Sequence, residues 1–155
     1  MDREPPPRRW HTREDSGIRL DRDGRWWHDD QPVEHPRLVE AFNTGLVPTE
    51  DGRFKLIFGW DWCFVEVEDA AYRVLGIDAE DAGFSLQLSN RTTEPLDPAT
   101  LAVEPDGVLS CRVKNGRAKA RFTRDAQFQL GSHMSERDGR IVLLAGGREY
   151  PIASS

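Results

Sequence analysis

The 155 residues suffice for one domain or for two small subdomains sharing a core. The 21 basic residues are outnumbered by 27 acidic ones, for a net charge of −6, and no basic block breaks that balance, so nucleic acid is not an expected partner. No apolar run approaches the roughly 20 residues of a membrane helix, and the N-terminus lacks a signal peptide's apolar core, so the expectation is a cytoplasmic protein without a membrane partner.

Residues 1–15 carry charge of both signs, three consecutive prolines and one aromatic, Trp10. Such a segment buries too little surface to order itself and reads as a disordered tail, within which Pro5 to Arg9 resembles a polyproline ligand. Ile18 and Leu20 then alternate with charge, and Asp23-Gly24 turns the chain into Arg25 to His28, a first hairpin. Trp26 and Trp27 are neighbours in that strand, so one faces the core and the other a second layer or a ligand. Pro36 suits a first helical position, His35 falls at the cap, and Leu38, Val39, Phe42 and Leu46 form an apolar stripe. Gly45 reads as the residue just past the helix end, which predicts a helix of about ten residues.

After Asp51-Gly52, Phe54, Leu56 and Phe58 share one strand face, while Arg53 and Lys55 share the other. The next strand has a small apolar face of Cys63, Val65 and Val67, and a second face, Trp62, Phe64, Glu66 and Glu68, that begins aromatic and ends acidic. The turn Gly59-Trp60-Asp61-Trp62 reads either as a shielding corner or, with Trp60 and Trp62 exposed, as an interaction surface. Tyr72 to Ile77 is a further strand, Asp78 to Gly83 a solvated acidic turn, and Phe84, Leu86 and Leu88 one face of a half-buried strand. Asn90 to Thr100 is polar with two prolines. The subdomain division is placed there: residues 16–90 form an N-terminal β-rich subdomain with one helix, and 91–155 a C-terminal β-rich subdomain.

The second part repeats the turn grammar of the first. Asp106-Gly107 leads into a strand with Leu109, Cys111 and Val113 on one face, and Asn115-Gly116 fits a type I′ turn. Ala118, Ala120 and Phe122 follow on the inner face, with Arg117, Lys119 and Arg121 on the outer face as a candidate anion-binding surface. Arg124 has inner parity, so it lies past the strand end or enters a pocket and needs a partner. Asp125 to His133 fits a strand by alternation, and fits a short helix by the cap Thr123 and the stop Gly131. Ile141 to Leu144 is a buried strand, with Tyr150 and Ile152 on the last one. The fold class is α+β and mainly β: an antiparallel meander in two similar small subdomains with one short helix near the N-terminus, compatible with structural duplication.

Little in the sequence announces a reaction. Neither a phosphate-cradling Gly-rich loop nor a nucleophile elbow is present, and Glu66 with Glu68 reads as paired surface carboxylates. Cys63 and Cys111 read as small buried thiols, able to pair only if their strands pack face to face. His28 and His35 stand seven residues apart across a turn, and no Cys-x-x-Cys occurs, so neither a metal site nor a cofactor is expected.

Several landmarks occur in the order seen in the bacterial domain-of-unknown-function family 1285. They are Asp21-x-Asp23-Gly24-Arg25-Trp26, Pro32-Val33, Leu38-Val39 with Phe42, Asp51-Gly52-Arg53 and Val67-Glu68-Asp69, then Asn90, Ala120-Arg121, Arg124 and Gly146-Gly147. The chain resembles that family over about residues 18–152. Where the family shows Thr-Pro-x-Glu, this chain has Phe58 to Trp62, and a later His-Pro-Leu element is reduced to Asp97 to Leu101. The resemblance implies duplicated β-rich subdomains, the second similar to pleckstrin-homology-like folds. It also implies a small anionic, nucleotide-like ligand between them, with a role in signal transduction. By match, Asp69, Asn90, Arg121 and Arg124 are the expected ligand-binding residues. The leading expectation is a non-enzymatic ligand-binding domain. The alternatives are a protein-interaction module using Trp60 and Trp62, and an enzyme acting on phosphorylated or nucleotide substrates.

Overall fold

The computed structural model describes residues 11–154, so the Pro5–Arg9 run and Trp10 lie outside the described residues. Residues 11–15, expected to belong to a disordered tail, instead run against the first sheet. The Phe64 N–H donates to the Arg13 carbonyl at 2.7 Å, Arg13 pairs with Asp61 at 3.0 Å, and Glu14 pairs with Arg53 at 3.0 Å. Backbone pairing and opposite charges order a stretch that has no apolar core of its own.

The first sheet is built from β1 (Ile18–Leu20), β2 (Trp26–His28), β3 (Gln31–Pro32), β4 (Leu46–Pro48), β5 (Phe54–Phe58) and β6 (Asp61–Val67), with helix α1 (Pro36–Gly45) between β3 and β4. The β1–β2 hairpin forms as the Asp-Gly signal predicts. The Asp21 carboxylate accepts from the N–H groups of Asp23 and Arg25 at 2.9 and 2.8 Å, and Gly24 takes φ +82°, which a side chain resists. Trp26 is the buried one of the tryptophan pair; it meets Phe42 edge-on at 5.2 Å and donates to Asn43 at 2.8 Å. Trp27, on the other face, packs under the Arg19 guanidinium at 4.9 Å and donates to Asp21 at 2.9 Å. α1 begins as expected, the His35 side chain accepting from the Arg37 N–H at 3.2 Å with Pro36 in the first position. Its end differs. Gly45 is the last helical residue and not a left-handed stop, and a Cβ there would lie 2.6 Å from the Ile57 carbonyl oxygen. This glycine is dictated by the close approach of helix and strand.

The second sheet takes β7 (Tyr72–Glu80), β8 (Gly83–Leu88), β9 (Thr93–Pro95), β10 (Ala102–Val103), β11 (Leu109–Val113) and β12 (Ala118–Phe122), with a single 3₁₀ turn, Pro98–Thr100, between β9 and β10. After β12 come helix α2 (Arg124–Gly131) and a three-stranded sheet of β13 (Met134–Arg137), β14 (Arg140–Ala145) and β15 (Arg148–Pro151). The final strand β16 (Ala153–Ser154) joins β10 at the edge of the second sheet. The ambiguous stretch after Phe122 is therefore a helix: the Thr123 hydroxyl caps it from the Ala126 N–H at 3.2 Å, and the alternating Ala126 and Leu130 both point inward.

The strand orders expose a duplication. The first sheet reads β3-β2-β1-β6-β5-β4, and the second, without β16, reads β9-β8-β7-β12-β11-β10. In each, the first and last strands of the unit pair in parallel at the centre, β1 with β6 and β7 with β12. In each, a helical turn opens on a proline behind a side-chain cap, His35-Pro36 and Asp97-Pro98. The Asp-Gly turns match as well: Thr49 N–H to Arg53 carbonyl and Gly52 N–H to Thr49 carbonyl recur as Glu104 to Val108 and Gly107 to Glu104. The α+β, mainly β class holds, and the central parallel pairs distinguish the fold from a pure meander. The division between residues 90 and 91 does not, because it separates β8 from its hydrogen-bonded neighbour β9. The units meet at residues 68–71, where β6 ends and β7 begins, because the β7–β8 hairpin is the counterpart of β1–β2.

One core joins the units, running from Leu20, Trp26, Phe42, Leu46 and Leu56 through Tyr72, Val74 and Leu86 to Phe122, Leu130 and Leu143. Cys111 is buried and Cys63 half-buried; both thiols are free, and burial pushes that of Cys111 up to about 12. Among the described residues no helix is long and apolar enough to cross a membrane. Two glycine substitutions test the packing argument. Gly45→Ala should cost about 1–3 kcal/mol in urea unfolding, from overpacking against Ile57. Gly131→Ala, whose Cβ would meet open space at the end of α2, should be neutral or stabilise by up to about 1 kcal/mol. Equal effects would remove the reason given for Gly45.

Candidate functional site

The two units meet along a cleft of about 230 Å³ whose floor is the start of β7, from Ala70 to Arg73. The β1–β2 hairpin contributes Arg22 and Gly24 to one wall, α1 contributes Glu40 and Asn43, and the turn after β8 contributes Ser89 and Arg91. Arg121 closes it from β12. A second hollow of about 260 Å³ adjoins, sharing Arg22 and Arg121 and lined further by Asp23, Asp69, Asp106 and Lys119.

Each arginine is placed by the backbone around it. Arg73 donates its N–H to the Ser89 hydroxyl at 2.9 Å, and its guanidinium crosses the hairpin turn to the Asp23 carbonyl. A Cβ on Gly24 would overlap that guanidinium, so the turn glycine also clears its path. Arg91 sits at φ +67° and pairs with Glu40 at 2.6 Å, which holds its guanidinium above the ordinary arginine value. Arg22 is exposed, and its side chain has no partner among the described residues.

The outer face of β12 was the expected anion surface, but most of its charge is spent internally. Lys119 pairs with Asp69 at 2.9 Å and with the buried Glu104, and Arg121 pairs with Asp69 at 3.5 Å and with Asp106. Burial works against the Lys119 charge, yet the bonds to Glu104 and Asp69 outweigh it and raise its pKa. The Arg121 guanidinium, with the Val108 N–H, holds Asp106 below the usual carboxylate range.

Electrostatics therefore divides the two hollows. With Arg121 counted beside its carboxylate partners, Arg22, Arg73 and Arg91 against Glu40 leave the first a formal charge of +2, and Lys119 and Arg121 against Asp23, Asp69, Glu104 and Asp106 give the second −2. The expected residues fall in different places. Asp69 and Arg121 are brought together in the second hollow. Asn90 is buried and does not line the cleft; its carboxamide oxygen accepts from the Thr92 hydroxyl at 2.6 Å, fixing the turn that presents Ser89 and Arg91. Arg124 is exposed in the first turn of α2 and lines neither hollow, because the strand ends at Phe122 and its inward parity lapses. Trp60 stands at the tip of the β5–β6 hairpin with 95% of its surface exposed, while Trp62 packs edge-on to Phe64 at 5.3 Å beneath Arg13 and Lys55.

Residues 5–70 match the model of the N-terminal domain of DUF1285, a domain of unknown function. The first unit of this chain is similar to that family domain. The matched segment ends where the first structural unit ends. Two solved DUF1285 proteins share the fold. One, from Silicibacter pomeroyi DSS-3, has a TM-score of 0.65 at 20% identity, covering 88% of this chain and 79% of its own. The other, from Shewanella baltica OS155, has a TM-score of 0.52 at 16% identity, covering 70% and 85%. No curated protein matches the sequence.

The sequence reading missed Arg22, Arg73 and Arg91. Arg22 stood inside the Asp21-x-Asp23-Gly24 landmark and was legible there as part of a turn. Arg73 and Arg91 carried no signal, since Arg73 reaches Asp23 and Arg91 reaches Glu40, partners 50 and 51 residues away. The raised pKa of Lys119 has a measurable consequence. Its contribution to stability is complete below the ordinary lysine value, about 10.4, and is lost as pH rises through the higher folded value. The stability gap between wild type and Lys119→Met in urea should therefore be largest near pH ~9 and narrow by pH ~11. A constant gap would show that Lys119 acts through packing alone.

Proposed function

We propose that this chain is a non-enzymatic cytoplasmic domain that binds a phosphate-bearing, nucleotide-like anion between its two units and reports it to a protein partner in signal transduction. One observation carries the reading: Arg22, Arg73 and Arg91 converge on a single cleft with one carboxylate, Glu40, to balance them, and Arg121 borders it. Arginine forks fit phosphate bidentately and remain charged at any physiological pH. Neither hollow alone reaches the roughly 300–1,000 Å³ that encloses a drug-sized ligand. Joined across Arg22 and Arg121, they do. The phosphate belongs in the hollow of charge +2, and the acidic neighbour suits the hydroxyl and amino donors of a sugar or base. On the same reading the second unit plays the pleckstrin-homology-like part.

A thermal-shift screen against nucleotides, nucleotide second messengers and phosphorylated metabolites tests this. A ligand present at about 100 times its dissociation constant stabilises by roughly 2.7 kcal/mol, which should raise the midpoint by roughly 5–10 °C in a domain of this size. Arg22→Ala and Arg91→Ala should weaken the hit by about tenfold or more, and Arg124→Ala should leave it unchanged. A flat screen, or binding lost only in Arg124→Ala, would overturn the proposal.

The exposure of Trp60, beside the partly exposed Ile57 and Phe58, favours a second reading of this hairpin as the surface that meets the partner. Trp60→Ala should then release a partner captured by the wild type while leaving the melting midpoint within about 1 °C. Retention of the partner by the variant would remove Trp60 from the interface.

A further inference from the structure

His11, His28 and Asp29 lie outside the cleft and were not connected by the sequence, where His28 invites comparison with His35. Each offers one ligand atom, and the three atoms fall within 4.8 Å of one another. His11 Nε2 is 2.8 Å from Asp29 Oδ2, and His28 Nε2 is 3.7 Å from the same oxygen. A tetrahedral zinc ion with bonds of about 2.0–2.1 Å holds its ligand atoms about 3.3 Å apart. The two observed separations straddle that value, so small side-chain rotations suffice to admit an ion.

The backbone holds the carboxylate in advance. Asp29 and Asp30 adopt φ +48° and +63°, and the Asp29 N–H donates to the Gly17 carbonyl at 2.9 Å. Gly17 itself sits at φ +72°, and a Cβ on it would overlap the Asp29 carboxylate. The cradle exists because Gly17 has no side chain. His11 reaches the cluster from the segment ahead of β1, which is tied to the first sheet by the Phe64 N–H to Arg13 bond and by the Ser16 hydroxyl donating to the Phe64 carbonyl at 2.6 Å. The ligands thus come from two segments brought together only by folding.

We propose that His11, His28 and Asp29 form a binding site for one divalent transition-metal ion, with Zn²⁺ the fitting cation, that fastens the N-terminal segment to the end of β2. Two imidazoles with a carboxylate suit zinc and its neighbours better than calcium or magnesium, which prefer all-oxygen shells. With three protein ligands on an exposed surface, the remaining position is open to water or to a further ligand.

The test uses the full chain, freed of any affinity tag and stripped with a chelator. Titration with Co²⁺ should produce the visible absorption of a low-symmetry site that saturates at one ion per chain. Zn²⁺ should displace it and raise the melting midpoint. Loss of a mere outer-shell partner weakens metal sites roughly 10–100-fold. His11→Ala and His28→Ala should therefore each lower Zn²⁺ affinity by at least about tenfold. Asp29→Asn, which keeps a residue tolerant of positive φ, should also lower it, and His35→Ala, at the cap of α1, should not. Circular dichroism of each variant should match the wild type. The proposal is overturned if neither ion gives a saturating equivalent, or if His11→Ala and His28→Ala both bind as the wild type does. Either result would leave the cluster as a histidine–aspartate ion pair only.

Discussion

The structure turns on the seam at Tyr72. This residue opens β7, is 1% exposed, and donates its hydroxyl to the Leu46 carbonyl of the first sheet at 2.6 Å. Burial pushes its pKa well up, so the hydroxyl stays a donor at any physiological pH. Its backbone meanwhile pairs with Ala120 in the parallel centre of the second sheet. One residue therefore holds both units: its ring and hydroxyl bind the first, and its main chain belongs to the second. Losing the bond would strand a carbonyl inside the core, which costs about 1–3 kcal/mol, a large share of the stability of a small domain. The same residue lies in the floor of the cleft, so the residue that joins the units also borders the candidate site.

The duplication explains why one such cleft forms and not two. In the first unit the connection between the third and fourth strands is the ten-residue helix α1, which leans over the seam and supplies Glu40 and Asn43. In the second unit the equivalent connection is the three-residue turn Pro98–Thr100, too short to build a wall. What the second unit adds comes after the repeat ends: α2 and a three-stranded sheet bring Leu130, Leu143 and Ala145 into the shared core. The two copies thus keep their strand order and diverge in what covers it.

Much of this was legible locally. The alternation of Phe84, Leu86 and Leu88, or of Ala118, Ala120 and Phe122, identifies a buried face without reference to the rest of the chain, and the structure buries all six. Asp23-Gly24, Asp51-Gly52 and Asp106-Gly107 announce turns because the chemistry that makes them is contained in four or five residues. The parallel pairs were not legible, since nothing in Leu20 or Arg73 specifies a partner 47 or 48 residues away at Val67 or Arg121. The subdomain division was drawn at a polar, proline-bearing stretch that turned out to hold β9 and the 3₁₀ turn, both internal to the second unit. The site inherits the same limit. Arg121 was found through its strand parity and its place in a landmark, whereas Arg22, Arg73 and Arg91 become neighbours only once the units close on each other.

Charge placement shows why the cleft and the outer face of β12 differ although both are rich in cations. On β12, Lys119 and Arg121 each face two carboxylates, from Asp69, Glu104 and Asp106, and form a partly buried network in which removing either cation leaves carboxylates without their partner. Such a network ties β12 to the β10–β11 connection and to the seam at Asp69. In the cleft, Arg73 is committed to a neutral carbonyl and Arg22 has no side-chain partner among the described residues, so neither charge is cancelled. An anion entering there displaces no ion pair with Arg22 or Arg73 among the described residues, and it competes with Glu40 for Arg91 and with Asp69 and Asp106 for Arg121. That is the physical difference between a cationic surface whose charges are paired within the fold and one whose charges are left uncancelled.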